Sequence, residues 1–85
     1  MNIRILYFGR LREEMRIPGE MFELTPEVRD VASLRARLIA RGGNSAEAFA
    51  QNKAVRVSVN QDLGRNSTPI KAGDEIAFFP PVSGG

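Results

Sequence analysis

The chain has 85 residues, enough for one small domain with a modest core. It contains no cysteine, histidine or tryptophan, which excludes disulfides, thiol catalysis and imidazole metal ligands. The formal charge of +2 is slight, and it points to neither a nucleic-acid nor a membrane partner.

The finer charge pattern agrees. Arg10, Arg12 and Arg16, and again Arg35, Arg37 and Arg41, interleave with Glu13, Glu14, Glu27, Asp30 and Glu47. Mixed charge of this kind marks a solvated surface, and no aromatic residues alternate with the arginines to stack bases. A metal site would need carboxylates alone, and no cluster of them stands out. No apolar run approaches the length of a membrane span. The start, Met1-Asn2-Ile3-Arg4-Ile5, lacks the charged head and long apolar stretch of a signal peptide, so the expected location is the cytosol.

Residues 2–8 alternate with a strand period. Ile3, Ile5 and Tyr7 face one way, and Arg4, Leu6 and Phe8 the other. Gly9 ends this strand. Arg10 to Met15 fits one or two helical turns, and Pro18-Gly19 is a turn pair. Glu20 to Leu24 reads as a second strand returning antiparallel to the first.

The strongest helix signal follows. Val31, Leu34 and Leu38 fall on one face, while Arg35, Arg37 and Arg41 lie mostly elsewhere. Asp30 suits the N-cap, and Thr25-Pro26-Glu27 is a rival start. Gly42-Gly43 stops the helix. Ser45 is placed as the cap of a short turn over Ala46 to Ala50, with Phe49 turned inward.

Ala54 to Asn60 reads as a third strand, with Val55, Val57 and Val59 on one face and Arg56 and Ser58 on the other. Asn60 to Pro69 is turn-rich, with Leu63 its one large apolar residue. Lys71-Ala72-Gly73-Asp74 fits a tight turn in which Gly73 supplies positive φ. The last strand, Glu75 to Phe79, places Ile76 and Phe78 on one face and Glu75, Ala77 and Phe79 on the other.

The order is strand, strand, helix, strand, strand. It fits an α+β domain over residues 1–79, a mixed sheet with one main helix packed on one face. This is the ubiquitin-like β-grasp. In that arrangement the first and last strands lie side by side and parallel, so their C-terminal ends meet at one edge. Phe8 and Phe79 then point away from the helix at that edge, with Leu63 a candidate neighbour. Single exposed aromatics are ordinary on any protein. A shared position beside the chain's exit favours a docking surface.

Residues 80–85 are expected to form an extended tail. Pro80 and Pro81 hold the exit from the strand extended. Gly84 and Gly85 have no side chains and fit a channel too narrow for any Cβ atom. Glycines at a chain end also occur as plain frayed or appended sequence. A Pro-Pro stiffener directly after an apolar strand argues for a tail built for insertion. With no cysteine or histidine, the one unusual reactive group is the Gly85 carboxylate, ionised at neutral pH with a reference pKa of about 3.3–3.7. A carboxylate resists nucleophiles until it is activated, and adenylation by ATP is the plausible route. The acyl group then passes either to a lysine, giving a protein modifier, or to sulfur, giving a thiocarboxylate.

The run Gly73-Asp74-Glu75-Ile76-Ala77-Phe78-Phe79-Pro80-Pro81-Val82-Ser83-Gly84-Gly85 resembles the MoaD-type small subunits of molybdopterin synthase, within the sulfur-carrier group that includes the ThiS-type proteins. Ile3 to Glu13 and Val59-Asn60-Gln61 fit the same pattern, and the stretch from Arg41 to Lys53 fits it least. The resemblance implies that a MoeB-type enzyme uses ATP to adenylate Gly85 and that a sulfurtransferase converts the adenylate to a thiocarboxylate. It implies that the tail then enters a MoaE-type large subunit, with Ser83 and Gly84 in its channel. There the sulfur passes to cyclic pyranopterin monophosphate to build the dithiolene of molybdopterin, within a heterotetramer. Phe8, Leu63, Phe79, Pro80, Pro81 and Val82 are the expected interface, and this chain itself binds no cofactor or metal. Two rivals share the fold and tail: a thiazole-synthesis sulfur carrier, and a modifier conjugated to lysines. A plain interaction module with a chemically idle tail is a third.

Overall fold

The computed structural model describes residues 1–81. Strand β1 (Asn2–Tyr7) is followed by helix α1 (Arg10–Met15), strand β2 (Gly19–Glu23), helices α2 (Val31–Ala40) and α3 (Gly43–Ala48), and strands β3 (Arg56–Val59), β4 (Asp62–Leu63) and β5 (Glu75–Phe79). The five strands form a mixed sheet in the order β2-β1-β5-β3-β4. β1 and β5 run parallel at its centre, with Ile5 opposite Ile76 and Tyr7 opposite Phe78. β2 and β3 flank them antiparallel. This is the β-grasp arrangement.

The alternation in the strands decides which face is covered. Ile3, Ile5, Tyr7, Val57, Val59, Ile76 and Phe78 are buried, and they meet Val31, Leu34 and Leu38 of α2 in one core. Val55 is only partly buried, because β3 begins at Arg56 rather than at Ala54. Phe49 fills the centre. Its ring lies edge-on to Phe78 with centroids 4.8 Å apart and is tilted against Tyr7 at 5.9 Å. Such geometry matches the ring quadrupoles.

Helix α2 starts where its cap residue dictates. Asp30 Oδ1 accepts the Ser33 amide at 2.8 Å, and Ser33 Oγ accepts the Asp30 amide at 3.0 Å. This reciprocal capping box satisfies amides that the helix itself leaves open. The rival start at Thr25 to Glu27 is a turn instead. The Val31 and Ala32 amides donate to the carbonyls of Thr68 and Asn66, so the turn-rich loop is pinned to the helix start. That loop also buries Ile70.

Two further expectations need correction. Ser45 lies inside α3 and does not cap it; Gly42, at φ 77°, holds the cap position. The Ser45 hydroxyl instead accepts Arg41 Nη2 at 2.9 Å. The short strand β4 was not foreseen, because two residues carry no periodicity. Its pairing arises from the turn at Asn60 and Gln61, both with positive φ, which folds Asp62–Leu63 back onto β3. No helix among the described residues is long and apolar enough to cross a membrane.

Candidate functional site

The C-terminal ends of β1 and β5 meet at one edge of the sheet, and the chain leaves from there. The Phe8 amide donates to the Phe78 carbonyl at 3.0 Å, which extends the parallel ladder by one bond. Gly9 then turns away with φ 59°. A Cβ atom at Gly9 would lie 2.8 Å from Pro80 Cγ, so the proline ring rests directly on the glycine backbone. Positive φ and close approach both favour glycine here. The first residue of the tail is thereby seated against the end of β1. Val82, Ser83, Gly84 and Gly85 lie outside the described residues, so the expected roles of the tail tip have no geometry here.

On the sheet face opposite the core, Phe8 is 47% exposed and Leu63 71% exposed, while Phe79 and Pro80 are half-buried and Pro81 is exposed. Strand register brings some of these together. Phe79 neighbours Arg56 on β3, and Phe8 follows Tyr7, the partner of Phe78, so Phe8, Phe79 and Pro80 form one group at the tail root. Leu63 stands apart. It pairs with Ser58, which pairs with Ala77, placing Leu63 two strands from β5, or roughly 10 Å.

The same register reveals a wider row of small and apolar residues, with Ser58 its one hydroxyl. Leu63, Ser58, Ala77, Leu6 and Gly19 lie across the sheet in one line. Beyond it Met21 is 57% exposed. Arg4, Leu6, Pro18, Gly19, Glu20 and Met21 line a shallow depression of about 310 Å³ at the β2 edge. Strand alternation had put Leu6 on this face, but its alignment with Gly19 and Ala77 depends on pairing between distant strands.

An ionic cluster supports the root from the helix side. Arg10 Nη1 donates to Glu14 Oε1 at 2.6 Å, and Arg10 Nη2 donates to the Ala54 carbonyl at 3.1 Å. Lys53 Nζ reaches Glu14 Oε2 at 3.4 Å. Burial pushes the Glu14 carboxyl up, but the hydrogen bonds from Arg10 and Lys53 outweigh it and hold the group below its ordinary range. Arg35 donates to the carbonyls of Phe49, Ala50 and Lys53 at 2.9, 2.7 and 2.9 Å, fixing the loop that leads to β3. Sequence reading missed these contacts, since nothing local marks one arginine among ten as structural.

The turn over Gly73-Asp74-Glu75 lies far from the root. Asp74 is 5% exposed. Its Oδ1 accepts Asn60 Nδ2 at 3.0 Å, and its Oδ2 accepts the Lys71 amide at 2.9 Å. The Glu75 amide donates to Asn60 Oδ1 at 3.0 Å. Asn60 and Gly73-Asp74-Glu75 therefore lock two turns together at the opposite end of β5. They hold the start of β5 in place, at the end of the strand away from the tail root.

Known proteins share this plan. The model of the ThiS family matches residues 5–85. The chain is 35% identical over 83 residues to the molybdopterin synthase sulfur carrier subunit of Escherichia coli (strain K12), covering 98% of this chain and 99% of that protein. Among solved structures it is similar to a chain in the complex of subunits 1 and 2 of the molybdopterin-converting factor of Helicobacter pylori 26695. That match has 27% identity, a TM-score of 0.65 and full coverage of both chains, 100% each. SAMP1 of Haloferax volcanii superposes with a TM-score of 0.75 at 21% identity, again over 100% of each chain, a likeness that shows the fold alone.

Proposed function

The chain belongs to the ThiS family, and on that premise we propose that it is the sulfur carrier of molybdenum cofactor biosynthesis, the small subunit of a molybdopterin synthase. The observation that carries this reading is the full-length similarity to a subunit of that name, with a family match that runs to Gly85. The Gly85 carboxylate attacks the α-phosphorus of ATP on a MoeB-type enzyme, pyrophosphate leaves, and an acyl-adenylate forms. The persulfide of a sulfurtransferase attacks the acyl carbon and AMP leaves, giving an acyl disulfide; a thiol reductant then cleaves the S–S bond and leaves the thiocarboxylate. This chain supplies the reacting carboxylate and the surfaces that present it. It has no cysteine or histidine to do more.

The rest of the molecule positions that group. Phe8, Leu63, Phe79, Pro80, Pro81 and Val82 dock on a MoaE-type large subunit, and Ser83 and Gly84 lie in its channel. The half-polar open face and the Pro80–Gly9 contact support this placement. Inside the large subunit the sulfur passes to cyclic pyranopterin monophosphate. A dithiolene needs two sulfurs, so spent carriers leave and are recharged. The complex recorded for the Helicobacter pylori relative supports a large-subunit partner. A thiazole-synthesis carrier would share the tail, and a lysine modifier would give a ladder of high-mass conjugates in extracts.

The deciding experiment adds one alanine after Gly85, or deletes Gly85. The reacting carbon must sit near attacking distance, about 3–3.5 Å, and one extended residue moves it by about 3.3–3.6 Å. Both variants should melt as the wild type does, since the core lies within residues 3–78. Incubated with ATP, the adenylating enzyme and a sulfur source, neither should gain the thiocarboxylate mass or support molybdopterin synthesis. Charging of either at the wild-type rate overturns the assignment.

A further inference from the structure

The two edges of the sheet are unequally protected. β4 closes one edge with only two residues. β2 forms the other over Gly19–Glu23, in unbroken register with β1 from Gly19 opposite Leu6 to Glu23 opposite Asn2. Natural edges are blunted by short strands, lysine, proline or a bulge, because a bare edge pairs with another strand. β4 is short, whereas β2 has none of these devices. Its Glu20 carboxylate is already neutralised: Arg41 donates to it at 2.9 and 3.0 Å, and the Tyr7 hydroxyl donates at 2.6 Å.

Bond parity fixes which backbone groups of β2 are open. The Tyr7 amide donates to the Pro18 carbonyl, and the Leu24 amide donates to the Met1 carbonyl. Alternation then turns the backbone groups of Glu20 and Phe22 toward β1 and those of Gly19, Met21 and Glu23 outward. The same three residues hold the open-face positions, because they pair with Leu6, Arg4 and Asn2. Met21 stands at the middle of the strand, 57% exposed, beside the depression of about 310 Å³. Gly19 keeps that depression open. A Cβ atom there would lie 2.5 Å from the Ile5 carbonyl oxygen and 3.0 Å from Leu6 Cδ2.

We propose that this edge pairs with the β2 edge of a second copy, antiparallel about a two-fold axis at Met21, so that the two sheets become one. In that register Met21 faces the partner's Met21, and Gly19 faces the partner's Glu23. Every outward residue of β2 then sits in a hydrogen-bonded pair, with two bonds in each. Moving the axis to Glu20 or Phe22 leaves Glu23 or Gly19 without a strand partner. On the core side Glu20 lies opposite the partner's Phe22, so no like charges are opposed. On the open side the partner's Glu23 crosses Gly19, which has no side chain, and enters the depression toward Arg4. Their Cα atoms are two strand spacings and one diagonal step apart, roughly 12 Å, within the combined reach of the two side chains. Arg4 is exposed and makes no ion pair among the described residues. The two-fold axis repeats this pair, so charge complementarity and backbone pairing both select a second copy. The two open faces lie on one side of the joint sheet, and the tail roots lie at opposite ends of it.

Sedimentation velocity of the full chain reads the association directly. So short a seam belongs to the weak class of interfaces, so the series runs from about 10 μM to about 1 mM. Wild type should pass from monomer toward dimer across this range, and a monomer throughout overturns the proposal. Met21→Lys sets two ammonium groups at the axis and should raise the dissociation constant at least about tenfold. Unchanged association in that variant overturns the edge. Arg4→Glu should weaken pairing about three- to tenfold, the size of two exposed ion pairs, and adding Glu23→Arg should restore it. Failure of that rescue in a folded double variant overturns the register. A crosslink gives an independent reading, since the chain has no cysteine of its own. A hydrogen-bonded antiparallel pair sets its Cα atoms about 5.5 Å apart, a separation that suits a disulfide. Under mild oxidation Met21→Cys should therefore form covalent dimer at least about tenfold faster than Leu63→Cys, which places a thiol at the other edge. Equal rates would show only chance collision and would overturn the pairing.

Discussion

Phe78 and Phe79 are chain neighbours on opposite faces of β5, and truncating each in turn separates folding from docking. Phe78 is 1% exposed, stacked edge-on to Phe49 and opposite Val57 and Tyr7 in the ladder. Phe78→Ala should cost about 3–5 kcal/mol from lost burial and the cavity left behind. In a domain of this size each kcal/mol moves the melting temperature by about 4–8 °C, so the drop should be at least about 12 °C. That is a large share of a stability of about 4–13 kcal/mol, so Phe78→Leu, at about 1–2 kcal/mol, keeps the comparison measurable. Phe79 is half-buried on the open face. Phe79→Ala should cost about 1 kcal/mol of stability, the span of strand preference at a surface position. As a central anchor it should cost about 2 kcal/mol or more of binding to the large subunit, roughly 30-fold in Kd. Urea unfolding and calorimetric titration of the same proteins decide. Equal destabilisation by the two alanine variants, or unchanged affinity for Phe79→Ala, would refute the face assignment.

Three other outcomes are expected. Arg35→Met should lose about 2–3 kcal/mol, because three carbonyls lose a charged donor while some regain water; a loss under about 0.5 kcal/mol would show that water already serves them. Burial, then the Glu20 carboxylate, drives the Tyr7 phenol well above its ordinary range. Its folded value is raised, so this stabilising contribution is full below the unfolded value of about 10 and is lost as pH climbs past it. As the chain's one tyrosine, it should show phenolate absorbance only together with loss of the far-ultraviolet dichroism, and phenolate in the folded protein would refute its burial. At Asp74 burial opposes ionisation, but the hydrogen bonds from Asn60 and Lys71 outweigh it and lower the carboxyl below its ordinary value. Its contribution is present above the unfolded value of about 3.9 and fades as pH falls through the lower folded value. Asp74→Asn should flatten that acid limb in urea melts run across this range, and an unchanged limb would place the acid sensitivity elsewhere.

Much of the fold was legible in the residues alone, because side-chain direction in a strand or helix is a local property. Alternation along residues 2–8 and 75–79 sorts inward from outward positions, and Asp30 before Val31, Leu34 and Leu38 marks a capped amphipathic helix. The Phe8 and Phe79 placement and the stiff exit at Pro80 and Pro81 follow from the same local rules. What the sequence could not express is which distant segments meet. That Leu63 lies two strands from Phe79, that Leu6 lines up with Gly19 and Ala77, and that Pro80 rests on Gly9 are consequences of strand order and register. The pairing of Glu14 with Lys53 spans 39 positions, and the Asn60–Asp74 lock joins two turns that look independent in the chain. Loop closure sets the cost of such contacts and core packing rewards them, and neither leaves a periodic trace. Local chemistry thus determined which residues face out and where the tail begins. Only the assembled sheet decided which of them share a surface, and which charges at the root were already spent on one another.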